Sequence, residues 1–206
     1  MRATSLESDV FKFHLKALVE AKMVRKDHDG TYSLTAAGKE FANNLDDQSG
    51  QRNKSPKVSV IIVARRSIDN TTQYLFHQRK RHPFYDYWGL ISGPVPWGES
   101  IEKAAEAELE KQTGFTAKCT VRGFCRVRDY VSDERTLLED KLFAVVTTNA
   151  PQGVPREWSG GTTRWMALQE YTLQPKRFNL TEKILDHLER GIPYFEADTL
   201  YVPSDY

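Results

Sequence analysis

The stretch from Gly93 to Phe115 constrains the possible fold of this chain more than any other part of the sequence. It begins with a loop that Pro94 and Pro96 stiffen, and it continues into a run with helical periodicity from Ile101 to Gln112. Strand-like sequence lies on both sides of it. The segment therefore predicts a stiff loop and one helix placed between β-strands.

The flanking sequence alternates between apolar and polar residues, as is typical of β-strands. Four runs have this character: VSVIIVARR at 58–66, QYLFHQRKR at 73–81, KCTVRGFCRVRDYV at 118–131 and KLFAVVTT at 141–148. The first two are separated by the polar segment SIDNTT and predict a hairpin. Helical periodicity returns at Leu180–Leu188, where Thr181 can cap the helix. The order of strands, helix, strands and helix predicts an α/β or α+β sandwich.

A polar stretch without an apolar anchor, DDQSGQRNKSPK at 46–57, is typical of a linker. It predicts a small unit at 1–45 and a larger domain at 58–206. Within the small unit, apolar residues recur at helical spacing from Val10 to Val19. An Asp-Gly turn between two short β-type runs and the sequence AAGKEFANNL then predict a hairpin and a second helix.

This order of helix, wing and helix resembles part of a winged helix-turn-helix domain. The resemblance implies that Lys12, His14 and Lys16 contact DNA, but acidic neighbours leave no clean basic face and predict weak binding. The alternative is a small unit that packs on the neighbouring domain or forms a homodimer. Such domains usually have helices before the recognition helix, so we expect stronger DNA binding if the natural chain begins upstream of Met1.

Composition excludes several classes of protein. With 29 Lys and Arg against 28 Asp and Glu, the formal net charge is +1, so any binding of nucleic acid or of an acidic partner must be local. Cys119 and Cys125 are too few for a disulfide framework and lack the spacing of a zinc site, so we interpret them as reduced thiols on strands. No apolar run reaches the roughly 20 residues that span a bilayer, and the first residues lack the apolar core of a secretory signal. We expect a cytoplasmic protein without membrane contact.

The segment GPVPWGESIEKAAEAELEKQTGF resembles the Nudix box, G-x5-E-x7-R-E-U-x-E-E-x-G-U, in which U is a bulky aliphatic residue. Six positions agree with that pattern: Gly93, Glu99, Glu108, Leu109, Gly114 and Phe115. The flanking sequences YWGLISGPV and RWMALQEY resemble the lead-in and the later aromatic strand of the family. The resemblance spans most of Val58–Leu188 and implies a Nudix α/β/α sandwich.

The same resemblance implies magnesium chemistry, yet most of the metal-binding positions differ. In the family, glutamates of the box helix hold Mg²⁺ against the pyrophosphate of a nucleoside diphosphate derivative, and water attacks phosphorus. Only Glu108 keeps a carboxylate on that helix face, because Lys111 and Gln112 occupy the other two glutamate positions. Ala107 replaces the arginine that pairs with the first glutamate, so Glu99 lacks that partner.

Two arginines before the box are candidate ligand-binding residues. Arg79 and Arg81 stand where the family often contacts phosphate, and a guanidinium suits bidentate phosphate binding. We group them with Gly93, Lys111 and Gln112 of the box. Lys111 can pair with Glu108 and can bind a phosphate in place of the metal. The alternative for the two arginines is a solvated basic turn beside core aromatic residues.

Histidine and aromatic residues surround these arginines. Phe84, Tyr85, Tyr87 or Trp88 can stack on a base, although core packing is the preferred interpretation for Trp88 and Trp165. His77 and His82 have no carboxylate or histidine partner at ligand spacing, so we interpret them as surface residues.

Three functions agree with this sequence. The favoured one is a Nudix-fold protein with a weak or inactive box that binds a nucleotide-derived or phosphorylated metabolite and acts as a ligand-responsive regulator. The second is a divergent magnesium-dependent hydrolase of a nucleoside diphosphate-linked substrate, with Glu108 as metal ligand and Glu99 in a structural role. Glu134, Glu139 or Asp140 would complete its metal site. The third is an interaction module without a small ligand.

Overall fold

The structure is a computed structural model that describes residues 7–45, 50–51, 54–131, 135–156 and 158–205. It divides the chain into two compact units, Met1–Ser55 and Pro56–Tyr206. No helix within the described ranges has both the length and the apolar character that crossing a membrane requires.

The N-terminal unit contains two helices and one hairpin. Its elements are α1 (Ser8–Glu20), β1 (Val24–Lys26), β2 (Tyr32–Leu34) and α2 (Ala36–Asn43). Gly30 has a left-handed φ of 88° in the turn between the strands, and the Thr35 hydroxyl accepts a hydrogen bond from the Gly38 amide at the start of α2. Gly38 is the one buried residue among those described in this unit. The elements follow the predicted order, and their assignment to the winged-helix class stays a prediction.

The larger unit is built on a seven-stranded mixed sheet. Its strands, in sheet order, are β10 (Gly161–Ala167), β4 (Thr71–Arg79), β5 (Trp88–Pro94), β3 (Lys57–Ile68), β8 (Leu137–Asn149), β7 (Thr120–Val131) and β11 (Tyr194–Tyr201). Strand β3 is parallel to β8, and β11 is parallel to β7. A second, two-stranded sheet pairs β6 (Phe115–Thr116) with β9 (Gln152–Gly153).

The predicted hairpin is present, but its turn is shorter than the polar segment suggested. Strands β3 and β4 pair up to Ile68 and Thr71, which leaves only Asp69 and Asn70 in the turn. Both turn residues have a left-handed backbone, with φ of 47° and 59°. Aspartate and asparagine tolerate this conformation, which a tight two-residue hairpin requires at both positions.

Helices cover both faces of the large sheet, which confirms the predicted sandwich. The helices are α3 (Ile101–Thr113), α4 (Leu168–Thr172) and α5 (Leu180–Glu189), and a short 3₁₀ helix follows at Pro203–Asp205. Alternate residues of β3 separate the two cores: Val60 and Ile62 pack with Leu109 of α3, while Ile61 and Val63 pack with Ile184 of α5. Because helices cover both faces of the sheet, all five consecutive residues of β3 from Val60 to Ala64 are apolar and buried.

Two smaller predictions need correction. Thr181 lies one position inside α5 instead of capping it, and its hydroxyl accepts a hydrogen bond from the buried Tyr171 hydroxyl at 2.8 Å. Cys119 lies just before β7, whereas Cys125 lies within that strand. Both thiols are buried, and burial raises the pKa of Cys119 to about 11 and that of Cys125 to about 12.

Candidate functional site

The box helix α3 has defined contacts at both ends. The Ser100 hydroxyl accepts a hydrogen bond from the Lys103 amide at its N-terminus, and Gly114 follows its C-terminus with a left-handed φ of 78°. A guanidinium nitrogen of Arg156 donates to the carbonyl oxygens of Glu110 and Lys111 at 3.0 and 3.4 Å. A cation on the last carbonyls of a helix is favourable, so Arg156 holds the loop before β10 against α3.

Both carboxylate oxygens of Glu108 are held by neighbouring side chains. The Lys111 ammonium donates to Oε1 at 2.7 Å, and the Gln112 side-chain amide donates to Oε2 at 2.6 Å. The Glu108 side chain is 12% exposed, whereas that of Lys111 is 54% exposed. The two residues that occupy the other glutamate positions of this helix face therefore bind the one carboxylate that remains on that face.

The same amide group also connects the helix to the sheet. Gln112 is buried, and its nitrogen donates a second hydrogen bond to the Ser92 carbonyl oxygen at 2.9 Å. A Cβ atom at Gly93 would lie 2.5 Å from both Cγ and Cδ of Glu108, so any side chain there would force the Glu108 side chain to move. Glycine at this position lets the Glu108 carboxylate lie directly against β5.

The remaining box carboxylates lie away from Glu108. Glu99 accepts a hydrogen bond from the Ser100 amide at 2.9 Å, and it lines a separate cleft together with Ala107 and Glu110. Glu106 accepts hydrogen bonds from the Cys119 amide and from the Lys118 ammonium, both at 3.2 Å. Ala107 is exposed in that cleft beside Glu99, where the family pattern has its arginine.

These donors do not fit a magnesium site. Mg²⁺ needs near-octahedral oxygen ligands, and here an ammonium and an amide nitrogen bind the two oxygens of Glu108. In the described part of the chain, no three or more His, Cys, Asp or Glu side chains are grouped so that they could hold a metal ion.

The carboxylates considered outside the box are also engaged with cations. Asp140 accepts two hydrogen bonds from the Arg126 guanidinium at 3.0 and 2.7 Å, which lower the pKa of its carboxyl group. Glu139 accepts a hydrogen bond from the Lys57 ammonium at 3.2 Å and also pairs with Lys141. Glu134, the third candidate, lies outside the described residues.

A cavity of about 280 Å³ lies within the larger unit, and we call it the sheet cavity. Its charged lining consists of four cationic and two anionic side chains: Lys57, Arg79, Arg81, Lys141, Asp129 and Glu139. Ser92 and Gly93 of β5 also line it, so Gly93 contributes both to this cavity and to the contact with Glu108. Of this charged lining, only Arg79, Arg81 and Glu139 were singled out from the sequence.

Arg79 and Arg81 bring two positive charges to one part of this wall. Burial and then the neighbouring charge of Arg81 lower the pKa of the Arg79 guanidinium, which nevertheless stays ionised at neutral pH. Arg79 donates one hydrogen bond to the Pro83 carbonyl oxygen at 2.9 Å. Two adjacent guanidinium groups in a partly buried wall favour the binding of an anion.

Trp158 connects Arg81 to the box helix. The Arg81 guanidinium lies 5.2 Å from the centroid of the Trp158 ring, and the Lys111 ammonium lies 6.0 Å from the same centroid. A Cβ atom at Gly160 would lie 2.1 Å from the ring, so glycine leaves the space that the ring fills. Trp158 was not identified from the sequence, because it is isolated in a loop with no periodic pattern.

The aromatic residues after Arg81 differ in their exposure and in their packing partners. Phe84 is buried with a left-handed φ of 63°, an uncommon conformation for a bulky residue, and it packs against Tyr87 and Phe178. Tyr85 is exposed and stacks on the His82 ring. Trp88 and Trp165 are partly buried against the two cores.

The interpretation of His77 as a surface residue is wrong. Its side chain is 6% exposed, its ring packs beside Trp158, and its Nε2 atom has no hydrogen-bond partner among the described residues. Strand β4 lies between β5 and β10, and the Trp158 ring packs on the His77 ring, with 5.4 Å between the ring centroids. Burial, followed by the charges of Arg79 and Arg81, lowers the pKa of His77 to about 4.

We expect His77 to make the protein less stable in mild acid. The unfolded chain binds a proton near pH 6.5, while the folded chain resists protonation down to a pKa of about 4, so stability falls as the pH drops between these values. The contribution to the free energy of unfolding should fall by about 2 kcal/mol between pH 7 and pH 5. Urea denaturation of the wild type and of His77→Gln at both pH values measures it. His82→Gln, at an exposed histidine, is the control, and an unchanged pH dependence in His77→Gln would contradict the expectation.

The candidate DNA-contacting residues lie on the exposed surface of α1. Lys12 pairs with Asp9 at 3.7 Å, and Lys16 pairs with Glu20 at 3.8 Å, both within the same helix. His14 is exposed beside the ring of Phe13. The surface of α1 therefore carries charges of both signs, and DNA binding stays a prediction.

Known structures share the fold of the larger unit. The NUDIX domain of NrtR from Shewanella oneidensis, solved in complex with ADP ribose, is 22% identical with a TM-score of 0.56, and the match covers 76% of this chain and 99% of that one. The mutator MutT protein of Bacillus halodurans is 18% identical with a TM-score of 0.55, covering 73% and 93%. The MutT NUDIX hydrolase of Burkholderia pseudomallei is 27% identical with a TM-score of 0.50, covering 65% and 98%.

Sequence comparison assigns the family. No curated protein sequence matches the chain. The family model of the NUDIX domain, in contrast, matches residues 55–188. Since this range is more than half of the chain, the protein belongs to the Nudix family.

Proposed function

We propose that this protein binds a nucleotide-derived or phosphorylated metabolite and that its box does not support efficient magnesium-dependent hydrolysis. The proposal rests on the hydrogen bonding of Glu108, whose two carboxylate oxygens accept hydrogen bonds from Lys111 and Gln112. A metal ion would have to displace an ammonium and a buried amide, and it would then find one carboxylate. Lys111 supplies a single fixed positive charge where the family uses a dication.

The arrangement of cations supports binding of a phosphate group. Arg79 and Arg81 line the sheet cavity, and Arg81 and Lys111 lie on the same Trp158 ring. An ammonium has three N–H donors, so Lys111 can bind a phosphate oxygen and keep its bond to Glu108. Guanidinium groups add bidentate contacts, and the partial burial of Arg79 strengthens its interactions relative to water.

The complex of a similar structure suggests the first ligand to test. The NUDIX domain of NrtR was solved with ADP ribose, which has the pyrophosphate that these cations would bind. We propose ADP-ribose as a representative ligand and a regulatory role for the complex, in which the N-terminal unit responds to occupancy of the larger one. The cavity and its cations also distinguish this proposal from an interaction module without a small ligand.

Lys111→Ala tests the proposed phosphate contact. Loss of a hydrogen bond to a charged group costs about 1.5 to 3 kcal/mol, so we expect the affinity for ADP-ribose and for inorganic pyrophosphate to fall at least about tenfold. Isothermal titration measures both ligands in magnesium and in EDTA, and the wild type should bind equally well in each. Lys103→Ala removes an exposed lysine from the same helix and should leave binding unchanged. Unchanged affinity in Lys111→Ala would refute the contact, and turnover in magnesium would support the divergent hydrolase.

A further inference from the structure

The end of the chain contributes to the sheet cavity from beyond the range that the family model matches. That range ends at residue 188, whereas strand β11 runs from Tyr194 to Tyr201. The strand adds to the edge of the large sheet by parallel pairing with β7. Exposure alternates along it, so that Thr199 and Tyr201 are half-buried while Leu200 between them is exposed.

Tyr201 forms part of an aromatic group in the cavity wall. Its ring centroid lies 4.4 Å from that of Phe84 and 6.4 Å from that of Phe178, and all three residues line the cavity. The ring planes are tilted or perpendicular to one another. Such a group offers apolar faces and edges to a flat ring, which aromatic side chains bind by stacking or edge contact.

Neighbouring contacts fix the position of this aromatic group. The Phe84 amide donates to the Asp205 carbonyl oxygen at 2.9 Å, and the Tyr87 hydroxyl donates to the Asp205 carboxylate at 2.8 Å. Two residues before Tyr201 in the same strand, the Thr199 hydroxyl donates a hydrogen bond to the carboxylate of Asp129, which also lines the cavity. A wall held in this way loses little freedom when a ligand binds, which favours affinity.

The sheet cavity therefore has two chemically distinct kinds of wall. Arginine and lysine side chains suit the phosphate groups of the proposed ligand, while Phe84, Phe178 and Tyr201 suit an uncharged flat ring. We infer that Tyr201 contacts the base of the ligand and makes the site prefer a base-bearing pyrophosphate over one without a base. The inference rests on the proposed function and assigns a specificity-determining role to a residue outside the matched Nudix range.

Two probes that differ in the presence of a base test this role. The full chain is titrated with ADP-ribose and with inorganic pyrophosphate, as wild type and as Tyr201→Ala, Tyr201→Phe and Leu200→Ala. Base–aromatic stacking predicts that Tyr201→Ala weakens ADP-ribose binding about tenfold and leaves pyrophosphate binding unchanged. Tyr201→Phe keeps the ring and should keep the affinity. Leu200→Ala alters the exposed side of the same strand and should change neither ligand.

The possible outcomes separate this inference from the proposed function. Equal weakening of both probes by Tyr201→Ala would make Tyr201 a structural residue and overturn the inference. Wild-type protein that binds pyrophosphate as tightly as ADP-ribose would also overturn it, while leaving the proposed phosphate site intact. Binding of neither probe would overturn the proposed function and the inference with it. Thermal denaturation of the free variants shows whether Tyr201→Ala has lost its fold, and in that case Tyr201→Leu takes its place.

Discussion

The triple variant Ala107→Arg, Lys111→Glu and Gln112→Glu should bind Mg²⁺ on the order of 100-fold more tightly than the unmodified chain, because the number of carboxylate ligands sets the affinity of such sites. The change replaces the two side chains that hold Glu108 with oxygen ligands. Lys111 is half-exposed and leaves room for a glutamate, and an arginine at Ala107 would extend into the cleft that Glu99 lines.

Metal should also stabilise this variant. Glutamate at position 112 would be close to the Glu108 carboxylate and to the Ser92 carbonyl oxygen, which now accept hydrogen bonds from the buried Gln112 amide. Adjacent carboxylates repel one another until a cation neutralises them, so the midpoint of thermal unfolding should rise with Mg²⁺ in the variant alone. Isothermal titration and thermal denaturation measure the two effects.

A control variant with the same change in net charge separates the coordination of Mg²⁺ from a general effect of negative charge. The triple substitution changes the net charge by −2, since one arginine is gained, one lysine becomes a glutamate and one glutamine becomes a glutamate. Lys118→Glu makes the same change at a highly exposed residue and should not bind Mg²⁺ more tightly. Magnesium-dependent hydrolysis of ADP-ribose by the unmodified chain, abolished by Glu108→Gln, would instead establish the divergent hydrolase.

Gly93→Ala should destabilise the protein by about 3 kcal/mol through overpacking and the loss of hydrogen bonds to Glu108. The new Cβ would lie 2.5 Å from Cδ of Glu108, so the carboxylate would have to leave the Lys111 and Gln112 donors. In a Glu108→Ala background the clash is absent, and the same substitution should cost less than about 1 kcal/mol. Urea denaturation of the four proteins in this double-mutant cycle measures the coupling. If the destabilisations caused by Gly93→Ala and Glu108→Ala were additive, the glycine would not be needed to make room for the Glu108 side chain.

The sequence determined most of the secondary structure in the larger unit. Helical periodicity predicted a helix at Ile101–Gln112, and the structure places α3 at Ile101–Thr113. The alternating runs predicted β3, β4, β7 and β8, whose bounds agree with the predicted ones to within four residues at each end. These elements can be predicted because the spacing of apolar residues in a helix or a strand repeats within a few consecutive residues.

The sequence also identified the positions at which the metal-binding glutamates of the Nudix box are replaced. The spacing of Glu108, Lys111 and Gln112 places them on one helix face, and that geometry follows from the helical repeat alone. What the spacing could not give is the second hydrogen bond of Gln112 to Ser92, twenty residues earlier in the chain. Nor could it show that a missing Cβ at Gly93 makes room for the Glu108 carboxylate.

Only the tertiary structure decided which residues line the sheet cavity. Strand β11 was not predicted, and its parallel pairing with β7 joins residues about 70 positions apart, such as Tyr201 and Val131. His77 is buried beside Trp158, and a local pattern does not reveal a contact with a loop about 80 residues later in the chain. Trp158 reaches Arg81 and Lys111 from an irregular loop. The periodicity of a segment determines its local conformation, while long-range packing determines which side chains are excluded from water and which charges come together.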